Sequence, residues 1–353
     1  MKNKKTYLYD GFIVIDGEKE KRLVSGKANY LFNKENGNMF TWGEKMEEDA
    51  EKFPAPTILD FEITTICNNG CKFCYKSNEA HTGENTSFET FKTVFDKLPK
   101  SITQIAFGAD ASLTSNPDLF KMMKYARENG VIPNITLADA SSEVAEKLSK
   151  VAGAVAVSRY ANKNVCYDSI KRLTDRGMNQ VNMHFMIAEE TYEQALETIE
   201  DIKTDERLRF LNTIVFLSLK QKGRGVHYTP LSQEKFHTLT RLAFERGKIG
   251  FDSCSSCKFF KTLTDEEYEK YKSMVFPCES TLESSYISVK GEFFPCSFLE
   301  KTQGWETGID VLSCKNFVKD VWNNPRVEQF RQSLLSTKQN NKFGCRECPV
   351  YTI

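Results

Sequence analysis

The sequence predicts an α/β protein: parallel strands covered by helices, a small β-rich subdomain before them and a cysteine-rich α+β region after them. Three observations predict it. Between residues 57 and 247, strand-like and helix-like patterns alternate six times. Ahead of that stretch lie short alternating apolar runs broken by turn signals. Past residue 250 the periodicity fades, and seven of the eleven cysteines gather there.

In chain order, "YLYDGFIVID" and "NYLFNKENGNMFTW" within residues 6–43 read as a small antiparallel sheet, broken at Asp10-Gly11 and Asn36-Gly37. A charged, proline-ended connector (44–56) follows, so residues 1–55 form the first subdomain. The first unit pairs a strand at 57–64 with a helix at 87–98, for which Ser87 is the N-cap. The second pairs 102–108 with 116–129, with Pro117 in the helix's first turn. The third pairs 132–138 with 141–151. The fourth pairs 153–158 with 164–177, closed by Gly177. The fifth and sixth pair 180–187 with 191–203 and 212–219 with 232–247. Six units fall short of a closed eight-fold barrel, and a doubly wound sheet is the structural alternative. Residues 56–250 belong to this region, and 251–353 to the cysteine-rich one.

Lys+Arg and Asp+Glu number 48 each. No global field therefore attracts nucleic acid or an anionic membrane. No stretch approaches the roughly eighteen apolar residues of a membrane span, and the basic start lacks the apolar segment and cleavage site of a secretion signal. The expected compartment is the cytoplasm. Cysteines there read as metal ligands or catalytic groups before they read as disulfides.

"TTICNNGCKFCYKSN" (64–78) places Cys67, Cys71 and Cys74 just past the end of the first strand. A closed zinc site takes four ligands, and a disulfide framework takes even numbers. Three thiolates in one loop suit an iron–sulfur cluster with one iron left open. Gly70 lets the loop turn tightly, and Phe73 shields it. A zinc loop completed by a distant cysteine is the alternative.

Cys-x3-Cys-x-aromatic-Cys after a first strand resembles the signature of the radical S-adenosylmethionine (SAM) superfamily. The resemblance implies a partial (β/α)6 barrel, in agreement with the six units. It implies a 4Fe–4S cluster whose open iron binds SAM, reductive cleavage to a 5′-deoxyadenosyl radical, and hydrogen abstraction from a substrate. It also implies an external electron donor such as flavodoxin or ferredoxin. Phe107-Gly108-Ala109-Asp110 stands where the family has a turn that receives the SAM amino group, so Gly108, Ala109 and Asp110 are SAM-site candidates. Ser158 matches a ribose-binding position, and Arg159 is a candidate partner for the SAM carboxylate. Alternation along "VNMHFMI" puts Asn182, His184 and Met186 on one face, making His184 a further candidate. Glu62 lies on the first strand near the cluster, or in a structural salt bridge.

Cys278 and Cys296, with Cys345-x2-Cys348 at the end of the sequence, resemble the SPASM or shortened "twitch" extension. That implies a second, auxiliary 4Fe–4S cluster on Cys278, Cys296, Cys345 and Cys348, with "SYISVKGEFFPC" as a hairpin delivering Cys296. Cys254-x2-Cys257 falls outside this count. It replaces two of those ligands, joins a zinc site, or leaves Cys254 free to donate a hydrogen atom to a substrate radical. Such enzymes modify ribosomal peptides or protein side chains, the reading preferred here. Oxidation of a small molecule is the alternative, and a non-enzymatic zinc scaffold is a remote one. The N-terminal sheet either offers an edge to a leader peptide or caps the barrel bottom.

Overall fold

Our computed structural model describes residues 4–46, 48–160 and 162–353. All six predicted strand–helix units form. Strand β6 (Ile58–Glu62) leads through the cysteine loop to α1 (Phe88–Lys97); the earlier strands β1 to β5 are described below. The units continue with β7 (Gln104–Gly108), α2 (Leu119–Glu128), β8 (Ile132–Leu137), α3 (Ser142–Val151), β9 (Val155–Ser158) and α4 (Lys163–Thr174). They close with β10 (Val181–Ile187), α5 (Tyr192–Thr204), β11 (Thr213–Ser218) and α6 (Gln233–Arg246). A seventh strand, β12 (Ile249–Phe251), follows.

Local chemistry sets these boundaries. The Ser87 hydroxyl accepts the amide N–H of Thr90 at 3.1 Å, capping α1 as its sequence predicts. All four residues of β9 are buried, as expected of a parallel strand covered on both faces. Strands β6 to β12 run parallel in sequence order, each beside the next.

The N-terminal sheet is a five-stranded antiparallel meander of β1 (Lys5–Tyr9), β2 (Phe12–Asp16), β3 (Glu20–Val24), β4 (Asn29–Asn33) and β5 (Met39–Trp42). It packs at the N-terminal ends of the parallel strands. Its core includes Ile132, at the start of β8. The Lys21 ammonium donates to the Ile102 carbonyl at 2.7 Å, and Tyr30 bonds the Thr103 hydroxyl at 3.0 Å. The sheet therefore sits at the end of the strands opposite the cysteine loop, where it covers their lower rim.

The cysteine-rich region holds more structure than its fading periodicity predicts: α7 (Ser256–Phe260), α8 (Asp265–Tyr271), β13 (Ser284–Ile287), β14 (Glu292–Phe294), β15 (Ile309–Asp310) and α9 (Pro325–Ser336). The predicted hairpin is β13–β14, turning at Gly291 with φ +80°. It does not form a separate sheet. β13 pairs in parallel with β6, so the whole becomes one ten-stranded sheet in the order β12-β11-β10-β9-β8-β7-β6-β13-β14-β15. The edge of β6 is thus covered by the second region.

Candidate active site

The C-terminal ends of β6 to β11 surround a cavity of about 550 Å³. Cys67, Cys71 and Cys74 line it, together with Phe73 and the Gly108-Ala109-Asp110 turn. The three thiols are partly accessible, and Asn69 donates its amide N–H to the Cys71 sulfur at 3.0 Å. Gly70, between them, has φ +60°. Among the described residues, no three Cys, His, Asp or Glu side chains converge on a single-ion position. Three thiols facing one enclosed space fit the donor set of an iron–sulfur cluster.

A feature the sequence reading missed fixes this loop. Arg224, in the Gly223-Arg224-Gly225 turn after β11, donates from Nε to the Cys71 carbonyl at 2.8 Å and from its backbone N–H to the Cys74 carbonyl at 3.0 Å. Its guanidinium also reaches the Asn78 carbonyl at 3.3 and 3.4 Å. Gly223 has φ +55°, and a Cβ there would lie 2.5 Å from the Tyr75 carbonyl oxygen. Only glycine allows this approach. The neighbouring Lys222 donates to the Phe298 carbonyl at 3.0 Å, so the same turn also touches the cysteine-rich region. The glycine-flanked cation after a sixth strand was the available signal.

The far wall carries a buried ionic network. Tyr286 donates to Glu62 at 2.8 Å, and Lys76 approaches Glu62 at 3.3 Å while pairing closely with Glu300. Burial, outweighing the Lys76 charge, holds the Glu62 carboxyl above its usual range. Glu300 is also desolvated, but Lys76 sits closer to it and holds its carboxyl below that range. Two residues before Glu62, Asp60 also lines the cavity; its surface is open to that space, yet desolvation by the surrounding walls pushes its carboxyl up to about 6. No hydrogen bond or ion pair reaches it among the described residues.

The opposite wall holds Ser158 and His184, side by side in the register of β9 and β10. Burial lowers the imidazole to about 4, so it is neutral near pH 7. Met186 lines the cavity with them, as the alternation predicts, whereas Asn182 bonds Asn212 at 2.8 Å. Phe73 packs edge-on against Tyr160 and Tyr228, with centroids 4.9 and 5.8 Å away. Lys220 and Asp252, both in the cavity lining, form a buried pair at 2.7 Å. Lys220→Met is expected to cost about 3–5 kcal/mol, because it strands a buried carboxylate. A denaturant melt checks this, and the companion Lys220→Met/Asp252→Leu should recover part of the loss.

Two comparisons bear on this geometry. Residues 278–349 match the SPASM iron–sulfur cluster-binding domain. The crystal structure of Streptococcus suis SuiB bound to S-adenosylmethionine superimposes with a TM-score of 0.67, covering 96% of this chain and 100% of SuiB at 12% identity. The chain has the fold of SuiB and ends in a SPASM-like extension. SuiB bound to its precursor peptide SuiA gives a TM-score of 0.61 at 12% identity, covering 94% and 98% of the two chains. No curated protein sequence matches. No described helix is long and apolar enough to cross a membrane.

Ten of the predicted positions line this cavity, Asp110 and Cys254 among them, whereas Arg159, Cys278, Cys296, Cys345 and Cys348 do not. Arg159 is turned towards Tyr167 on α4, away from the cavity, and its backbone N–H donates to the His184 carbonyl at 2.8 Å. Asp110 is 2% exposed, and its carboxylate accepts the backbone N–H groups of Thr114 and Ser115 at 3.1 and 3.2 Å and the Ser112 hydroxyl at 3.3 Å. An aspartate is short enough to fold back on its own loop in this way. Cys345 is bonded to Cys257, with Cα atoms 5.6 Å apart. Cys254 lines the large cavity and also a smaller one shared with Cys348.

Proposed function

We propose that this chain is a radical SAM enzyme that modifies a peptide or protein side chain. The observation that carries the reading is the cavity: three thiols in one arginine-clamped loop at the C-terminal mouth of the parallel sheet, open to enough space for SAM and part of a substrate. Cys67, Cys71 and Cys74 would hold a 4Fe–4S cluster. When bound and reduced, it supplies the electron that cleaves SAM to a 5′-deoxyadenosyl radical. Phe73, Tyr160 and Met186 exclude water around that space, and Ser158 and neutral His184 offer hydrogen bonds along one wall.

Cys278, Cys296 and Cys348 stand in the extension for an auxiliary cluster, giving two 4Fe–4S clusters in all. SuiB, which shares the fold, binds a precursor peptide. That favours a peptide substrate over a small molecule, with a flavodoxin or ferredoxin as electron donor. The cytoplasm is the compartment this chemistry suits.

Asp110 contributes to SAM binding by holding the 110–115 loop against the cavity. Asp110→Ala frees the 110–115 loop, so SAM binding must order it and affinity should fall by up to about one to two orders of magnitude. Equilibrium dialysis against labelled SAM, with iron content unchanged, reads this directly.

The peptide reading is tested by incubating reconstituted enzyme, SAM and reductant with the peptide encoded by the nearest short reading frame. A mass change in that peptide is expected. Formation of 5′-deoxyadenosine beside an unaltered peptide would turn the assignment towards a small molecule.

A further inference from the structure

We infer that Cys254, not Cys345, completes the auxiliary cluster with Cys278, Cys296 and Cys348, and that Cys257 and Cys345 form a separate clasp beside it. The inference rests on the reading of the extension as an iron–sulfur domain and changes its ligand set.

The six sulfurs divide by environment. Cys254, Cys278, Cys296 and Cys348 are partly accessible, and Cys254 and Cys348 line the smaller cavity, whose wall Cys257 also reaches. They lie within electrostatic reach of one another: Cys278 senses Cys254, Cys296 and Cys348, and Cys254 senses Cys296 and Cys348. Cys257 and Cys345 are 7% and 2% exposed and sit in a different apolar group with Phe260, Leu263 and Phe343.

The hydrogen bonds divide the same way. A thiolate ligand needs donors aimed at its sulfur. Cys348 receives the backbone N–H of Tyr351 at 3.3 Å. Cys278 receives that of Ser280, Cys296 those of Phe298 and Leu299, and Cys254 faces the Lys220 ammonium. Cys257 and Cys345 instead lie against the carbonyl oxygen of Arg346, at 3.2 and 3.9 Å. A carbonyl oxygen opposes negative charge on sulfur. Local geometry explains the split. Cys254 lies within the short 253–255 turn after β12, where it lines both cavities. The Asn341 side chain accepts the Cys345 N–H at 3.1 Å and donates to the Cys345 carbonyl at 3.0 Å, which turns this residue towards α7.

The test counts iron rather than activity. In a Cys67→Ala/Cys71→Ala/Cys74→Ala background, anaerobic reconstitution leaves the auxiliary cluster alone, about four irons per chain. Adding Cys254→Ala should reduce this to about three or fewer and change the Mössbauer spectrum. Adding Cys345→Ala, or Cys257→Ala with Cys345→Ala, should leave iron and spectrum unchanged. Iron loss in the Cys345→Ala protein, whatever Cys254→Ala does, overturns the inference. So does full iron with an unchanged spectrum in the Cys254→Ala protein, or an iron-free background. Should Cys254→Ala fold poorly, the Cys345→Ala arm still decides. Failure of the radical SAM reading shows separately, as a triple variant that holds as much iron as the wild type.

Discussion

Replacing Cys67, Cys71 and Cys74 together by alanine is expected to remove about four irons per chain and to abolish SAM cleavage. The size of the effect follows from the architecture. All three sulfurs come from one eight-residue loop (67–74), and they open onto the same cavity at the mouth of the sheet. Among the described residues no other group of cysteines lines that cavity: Cys254, on the turn after β12, is the one further thiol there. The fold should survive the change, because the three side chains are not part of the main apolar core. Circular dichroism of the variant alongside its iron count separates loss of the cluster from loss of structure.

The second large effect concerns Arg224. Its guanidinium and backbone hold the carbonyls of Cys71, Cys74 and Asn78, so it sets the loop's shape without touching the sulfurs. Residues that orient metal ligands from behind typically carry about 10- to 100-fold of affinity or activity. Arg224→Ala is therefore expected to lower 5′-deoxyadenosine formation by about 10- to 100-fold and to speed iron loss to a chelator. Arg224→Lys should recover little, since a single ammonium cannot reproduce the fork by which the guanidinium holds the Cys71 and Asn78 carbonyls. Chelator-challenge kinetics distinguish this role from a merely structural one, because a distant packing defect would leave iron release unchanged.

Much of this site was legible in the sequence because spacing carries it. Cys-x3-Cys-x2-Cys after an apolar strand needs no tertiary information, and neither does the alternation that placed His184 and Met186 on one wall. Helix caps such as Ser87 are likewise local. What escaped depends on residues far apart in sequence. Lys76, Tyr286 and Glu300 meet only because β13 adds to the edge of β6. Arg224 looks like an ordinary loop cation until Gly223 lets its turn settle on the cysteine loop. The late helices were missed for a related reason. α9 buries Arg331, which donates to the carbonyls of Thr281 and Trp322 at 2.7 and 3.0 Å, so its inward face does not read as apolar. Arg159 shows the converse. Strand position suggested a cavity-facing cation, but the residue after β9 has already turned towards α4.

The central claim is that this cavity cleaves SAM, and one measurement tests it most directly. Anaerobically reconstituted wild-type protein is mixed with SAM and a strong reductant, and 5′-deoxyadenosine is quantified beside the triple cysteine variant. The account predicts time-dependent 5′-deoxyadenosine from the wild type and none from the variant. No product from an iron-replete wild type, or equal product from both proteins, would contradict it.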